Sequence, residues 1–68
     1  MSAEMNLRFM RLPEVKSVTG LSRSHIYDLI SRGEFPRQYK LSGRVSGWLD
    51  SEIRDWVTVK ISQKRDLN

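Results

Sequence analysis

The chain contains no cysteine. That removes disulfide staples and thiolate metal sites from consideration at once. It has one histidine, His25, so a metal centre built on imidazoles is also excluded. No stretch approaches the roughly 20 consecutive apolar residues needed to span a bilayer. The start of the chain lacks the apolar core of a secretory signal, so the expected location is cytoplasmic. There is no nucleophile set against a base, no metal-ligand cluster and no glycine-rich phosphate loop, and an enzyme is therefore not expected. No cofactor is called for. Internal repeats and low-complexity stretches are absent too.

What is present is small and basic. Sixty-eight residues make one domain at most, and a domain of this size buries little. Two tryptophans and two phenylalanines are the large pieces from which a core can be assembled. The net charge is +4 and the isoelectric point is about 10.0. Such a bias suits a partner with a phosphate backbone, and it equally suits a merely soluble basic protein.

The patterning divides the chain into elements. Residues 1–7 read as a flexible N-terminal tail and 8–61 as the folded domain. Leu7 to Met10 suit an extended segment, with Phe9 reaching toward the core. Pro13 stands where a helix begins, and Glu14 follows in the first turn, where a negative charge complements the helix dipole. Leu12, Val15 and Val18 recur at helical spacing, and Gly20 supplies the stop. A second helix opens after Ser22, whose hydroxyl is suited to accept from a free first-turn amide. Its apolar stripe is Ile26, Leu29 and Ile30, and it ends at Arg32 and Gly33. Between Arg37 and Trp48 the residues Tyr39, Leu41, Val45 and Trp48 suit strands, with Ser42-Gly43 as a hairpin turn. Gly47 marks a bulge or a close backbone approach. Asp50 caps a last helix whose apolar face is Ile53, Trp56, Val57 and Ile61. Beyond it, 62–68 read as a frayed C-terminal tail. Trp48 and Trp56 both sit in apolar patterns and read as core before they read as base-stacking platforms.

The expected fold is mainly α: a small winged helix-turn-helix, three helices with a two-stranded β-hairpin wing between the second and third. Two short helices joined through Gly20 and Leu21 fit that motif. Successive residues on a helix turn by about 100°, so Ser24, Tyr27, Asp28 and Ser31 lie opposite the apolar stripe, flanked by Arg23 and Arg32. In such motifs the N-terminal part of the second helix makes most base contacts. Arginine reads guanine in a bidentate way, and tyrosine can meet a phosphate or a thymine methyl. By itself this is also the pattern of any amphipathic helix with a solvated face. The wing adds weight. From Leu21 to Trp48 there are five basic residues against two acidic ones, a surplus of three out of the chain's net +4. The candidate DNA-contacting residues are Ser22, Arg23, Ser24 and Tyr27 at the start of the helix, Arg32 at its end, and Arg37, Lys40 and Arg44 on or near the wing. Arg44, at the turn, is suited to a minor groove.

The runs Arg8-Phe9-Met10-Arg11-Leu12-Pro13-Glu14-Val15 and Thr19-Gly20-Leu21-Ser22-Arg23-Ser24 come in order with Ile26-Tyr27, Gly33-Glu34-Phe35-Pro36, Lys40-Leu41, Gly47-Trp48 and Ser51-Glu52-Ile53. Together, from about Arg8 to Ile61, they resemble the AlpA family of phage-type DNA-binding regulators, which look like relatives of phage excisionases and of the winged part of MerR-type regulators. The resemblance implies a protein of a prophage or integrated element that binds double-stranded DNA, either as a transcriptional regulator, activation first, or as an excisionase. It implies RNA polymerase or an integrase as a protein partner, leaves cooperative assembly on DNA open, and implies no membrane. His25 and Asp28 depart from the pattern, which favours a threonine-like and a basic residue there. Gln38-Tyr39 and Ser42-Gly43 are also individual to this chain. Asp28 would repel a phosphate, so it either points away or accepts from a cytosine amine. The competing expectation, from another class, is a small basic protein-interaction module without intrinsic DNA binding, its amphipathic last helix docking a partner.

Overall fold

Residues 7–67 are described by a computed structural model. Residues 1–6 of the tail expected over 1–7, and Asn68, lie outside the described residues. Among the described residues the order of elements is β1 (Phe9–Met10), α1 (Leu12–Thr19), α2 (Arg23–Ser31), β2 (Tyr39–Ser42), β3 (Val45–Leu49) and α3 (Asp50–Leu67). The expected architecture is therefore present: three helices, with a β-hairpin between the second and third. No helix of the described residues is long and apolar enough to cross a membrane.

The local signals act as their chemistry demands. Pro13 lies in the first turn of α1. Gly20 ends the helix at φ 76°, a left-handed conformation that costs glycine little, and its N–H donates to the Lys16 carbonyl. The Thr19 hydroxyl donates to the Val15 carbonyl at 2.8 Å and accepts from the Leu21 amide at 3.2 Å, fastening the turn between the helices. Ser22 accepts from the His25 amide at 3.2 Å, the expected N-cap of α2. At the far end Glu34 N–H donates to Leu29 C=O at 2.9 Å and Gly33 N–H to Ile30 C=O at 3.0 Å. These are the two bonds of a Schellman closure, with Gly33 at φ 73°.

The sheet holds one strand more than the expected hairpin. Its order is β1-β3-β2, antiparallel throughout, so β3 is central. Phe9 pairs with Leu49 and Met10 with Trp48. Alternation along β1 then sends Met10, not Phe9, inward. Met10 is fully buried, whereas Phe9 is 44% exposed and meets Tyr39 edge-on at 5.7 Å on the outer face. The expectation for Phe9 is thus corrected by one residue of strand parity. The hairpin turn is also displaced by one. Ser42 pairs with Val45, so Gly43 and Arg44 form the turn, not Ser42-Gly43. The irregularity in register falls between Lys40 and Ser42 rather than at Gly47. Gly47 answers to close approach: a Cβ there would lie 3.0 Å from a Leu41 methyl and 3.1 Å from the Met10 carbonyl oxygen.

One core draws on every element except β2, whose four residues are exposed. Met10, Val15, Ile26, Phe35, Trp48 and Ile53 are buried, with Leu12, Leu21, Tyr27, Leu29, Ile30 and Trp56 packed around them. Of the two tryptophans Trp48 is the enclosed one and Trp56 is only half-buried. Val18 and Ile61, placed on apolar stripes by spacing, are instead exposed. The helix α3 runs on through Leu67, past Ile61. Asp50, the first residue of α3, is buried at 4% exposure. Its carboxylate accepts from Arg8 at 2.8 Å and from Arg54, and Arg8 also reaches Glu14 at 2.6 Å. One arginine from the N-terminal segment thereby ties α1 to α3.

Candidate nucleic-acid interface

The second helix is seated by Ile26, which is fully buried, while Arg23, Ser24, His25, Asp28 and Ser31 stand in solvent. Tyr27 is the hinge between the two faces. Its ring meets buried Trp48 edge-on at 6.2 Å, and the Arg23 guanidinium lies 5.4 Å from its centroid on the way out to solvent. The position of Arg23 is therefore set by a stack that starts in the core. Ser22 is exposed and spends its oxygen on the helix cap, which leaves its hydroxyl proton available.

The wing is held to the same side by the pairing of its strands. Lys40 pairs with Ser46, and Ser46 shares a face of β3 with Trp48, which packs on Tyr27 of α2. Lys40 accordingly lies on the face of the sheet that looks toward the second helix. There it joins Arg37, Gln38, Ser46 and Ile30 around an open concavity of about 440 Å³. Arg44 projects from the hairpin turn and is exposed. The structure thus brings Arg37 and Lys40 together beside the end of α2, puts Arg23, Ser24 and Tyr27 along its outer face, and leaves Arg44 at the tip.

Arg32 is placed differently from the rest. It caps α2 and pairs with Asp28 at 2.8 Å, an i,i+4 contact with both side chains about half exposed. The i,i+4 spacing of Asp28 and Arg32 carries that signal in the sequence. Ser46 and Gln38 line the concavity without being in the expected set. Gln38 is legible as a neighbour of Arg37, but Ser46 depends on the strand register, which nothing local encodes. Among the described residues no group of three or more His, Cys, Asp or Glu side chains converges as a metal site requires.

Over residues 8–61 the chain matches the family model described as prophage CP4-57 regulatory protein (AlpA). The chain belongs to the AlpA family. Two curated relatives are similar to it. A protein of Enterobacteria phage P4, named only as uncharacterized protein ORF88, is 48% identical over 58 residues, which cover 85% of this chain and 66% of that protein. The chain thus spans slightly less than two thirds of that relative. The DNA-binding transcriptional activator AlpA of Escherichia coli (strain K12) is 33% identical over 58 residues, covering 76% of this chain and 83% of that protein. The AlpA match begins at Arg8, one residue before β1, and so takes in the extra strand, the helix pair, the wing and α3 as far as Ile61.

Proposed function

We propose that this AlpA-family chain is a sequence-specific double-stranded DNA-binding regulator of a prophage or integrated element. The observation that carries the reading is the set of exposed and half-buried polar and basic residues on the second helix and the wing. It runs from Arg23, Ser24 and Tyr27 on α2, through Arg37 and Lys40 in the concavity, to Arg44 at the turn. A helix of nine residues with its apolar side fixed on the core fits a major groove with its first turn against base edges. Arg23 is the base reader, since its guanidinium offers a rigid two-pronged donor to guanine. Ser22 and Ser24 donate to phosphate oxygens flanking the groove. Tyr27 contributes its ring edge to a thymine methyl or its hydroxyl to phosphate. Arg37 and Lys40 track the backbone next to the helix, and Arg44 enters the neighbouring minor groove or meets its phosphates. Arg32 is a reserve cation, held by Asp28 until phosphate competes for it.

A transcriptional role is favoured by the E. coli relative, which is named as a transcriptional activator. In that role the contact partner is RNA polymerase. In the excisionase role it is an integrase, and cooperative assembly on DNA serves both. The test is to sequence the DNA fragments that the purified chain retains and then to map the bound position. Protection at a promoter supports transcriptional regulation, and protection at an attachment site supports excision. If about 4–6 phosphates are neutralised, log affinity falls against log salt with a slope of about −4 to −5. A flat dependence with no retained duplex overturns the reading in favour of a protein-interaction module.

A further inference from the structure

Three of the chain's eight acidic residues come together in one place. Glu34, Glu52 and Asp55 border a second concavity of about 550 Å³, between the segment that follows α2 and the outer side of α3. Its floor is apolar: Phe35, Pro36, Trp56 and Val59. None of the residues assigned to DNA lines it. Trp56 is half-buried and Val59 is 52% exposed, so large apolar surface is left in water here. Among the described residues the one cation in its lining is Lys60, whose ammonium sits 5.5 Å from the centroid of the Trp56 ring. Among the described residues of the lining, three carboxylates stand against one ammonium, in a chain whose net charge is +4. A phosphate backbone is repelled from such a rim.

The groove is also preformed. Its loop wall is anchored by both tryptophans: Trp56 Nε1 donates to the Glu34 carbonyl at 2.9 Å, and Trp48 Nε1 to the Pro36 carbonyl at 3.1 Å. Phe35 is buried and meets Trp56 edge-on at 4.8 Å. The Schellman closure at Gly33 fixes where this wall starts. Its opposite wall is a helical stripe, Glu52, Asp55, Trp56 and Val59, spaced by three and four residues. A site with fixed walls needs little ordering when it is filled, and a tryptophan beside an open apolar floor is the usual anchor of a protein contact.

We infer that this groove is a docking site for a segment of another protein that presents an aromatic or aliphatic side chain flanked by lysine or arginine. The apolar residue seats between Phe35, Pro36, Trp56 and Val59. The flanking cations meet Glu34, Glu52 and Asp55, and an arginine can take the place of Lys60 over the indole. No residue of the DNA set lines the site, although Arg32 and Arg37 flank its loop wall, so the inference does not rest on the DNA reading and the two fail separately.

The experiment pans a library of displayed random dodecapeptides against the immobilised full chain. Enriched peptides are then synthesised with a fluorescent label and measured by anisotropy. The expected result is enrichment of peptides with lysine or arginine on both sides of a leucine, phenylalanine or tryptophan. Their affinity should fall about tenfold in Glu34→Gln/Asp55→Asn and again in Val59→Ser, all exposed positions whose variants keep the helical circular dichroism and melt near the parent. Enrichment of peptides without basic residues overturns the inference. So does binding untouched by these variants, or no enrichment over the bare support. Sedimentation of the full chain separates the remaining occupant: a dimer that these same variants dissociate assigns the groove to a second copy and refutes the basic-peptide inference.

Discussion

Asp28→Asn tests the interface at its least expected residue. The carboxylate lies 2.8 Å from Arg32, with the two side chains 51% and 58% exposed. An exposed i,i+4 pair of this kind contributes only about 0.3–0.5 kcal/mol to stability. For a domain of this size that corresponds to a melting temperature lower by about 2–3 °C. The consequence for DNA is larger. On the proposed function, the substitution releases Arg32 for a phosphate and removes a negative charge from the helix face assigned to the groove. One further phosphate neutralised steepens the slope of log affinity against log salt by about 0.9. Between about 50 mM and about 200 mM salt, the advantage of the variant over the parent should therefore shrink by a factor of roughly 3–4. The assay is fluorescence anisotropy on a labelled duplex across a salt series, repeated in an Arg32→Ala background. There the change in slope should vanish and leave only a parallel offset from the lost repulsion. Parallel lines for the single variant would show that Arg32 gains no phosphate. A steeper slope that survives Arg32→Ala would assign the effect to another cation.

Arg23→Ala should weaken the preferred site more than a scrambled duplex, by about 1–3 kcal/mol, whereas Arg44→Ala should weaken both alike and reduce the salt slope by about one unit. Loss of sequence preference in Arg44→Ala alone would reverse the assignment of helix and wing. Trp48→Phe deletes the bond to the Pro36 carbonyl and part of a buried ring, a cost of about 2–3 kcal/mol and a fall of roughly 10–20 °C in thermal melting, and an unchanged melt would contradict its place in the core. The hydrogen bond from Arg8 holds the Glu14 carboxyl below the usual glutamate range. Its stabilising contribution is therefore complete above the unfolded value of about 4.3 and is lost as pH falls through the lower folded value. In acid unfolding followed by circular dichroism, Glu14→Gln should lose that part of the pH dependence, and coincident curves for variant and parent would count against it. The Tyr39 phenol is shifted upward by its hydrogen bond to Glu52, so Glu52→Gln should return its ultraviolet ionisation toward the ordinary tyrosine range near about 10, and an unmoved titration would refute that cause.

The parts that were readable in the sequence are those in which cause and effect lie a few residues apart. Ser22 caps α2 because its hydroxyl reaches the amide of His25, and Pro13, Gly20 and Gly33 act through their own backbone preferences. The order of helices and hairpin follows from those signals together with the apolar spacing. What escaped is decided across the fold. Whether Phe9 or Met10 enters the core depends on pairing with Leu49 and Trp48, and one step of register exchanges them. The ion cluster of Arg8, Asp50, Arg54 and Glu14 joins segments far apart in the chain, so Asp50 reads from sequence as an ordinary cap. The unequal burial of Trp48 and Trp56 is equally a matter of which strand or helix stands opposite each. In the interface, the basic residue types were legible, but the meeting of Arg37 and Lys40 with Ser46 required the register of β2 on β3.

The central place of β3 has a consequence for how the molecule comes into being. Its partner on one side, β1, comes first in the chain, and β3 itself is made only after α1 and α2 have been synthesised. Until β3 arrives, Met10 has no strand to pair with and Tyr27 has no tryptophan behind it. A product truncated ahead of the hairpin therefore carries the reading helix without the surface that seats it. Contacts of such long sequence separation form late and together. The head and its wing are accordingly expected to form and melt as one cooperative unit.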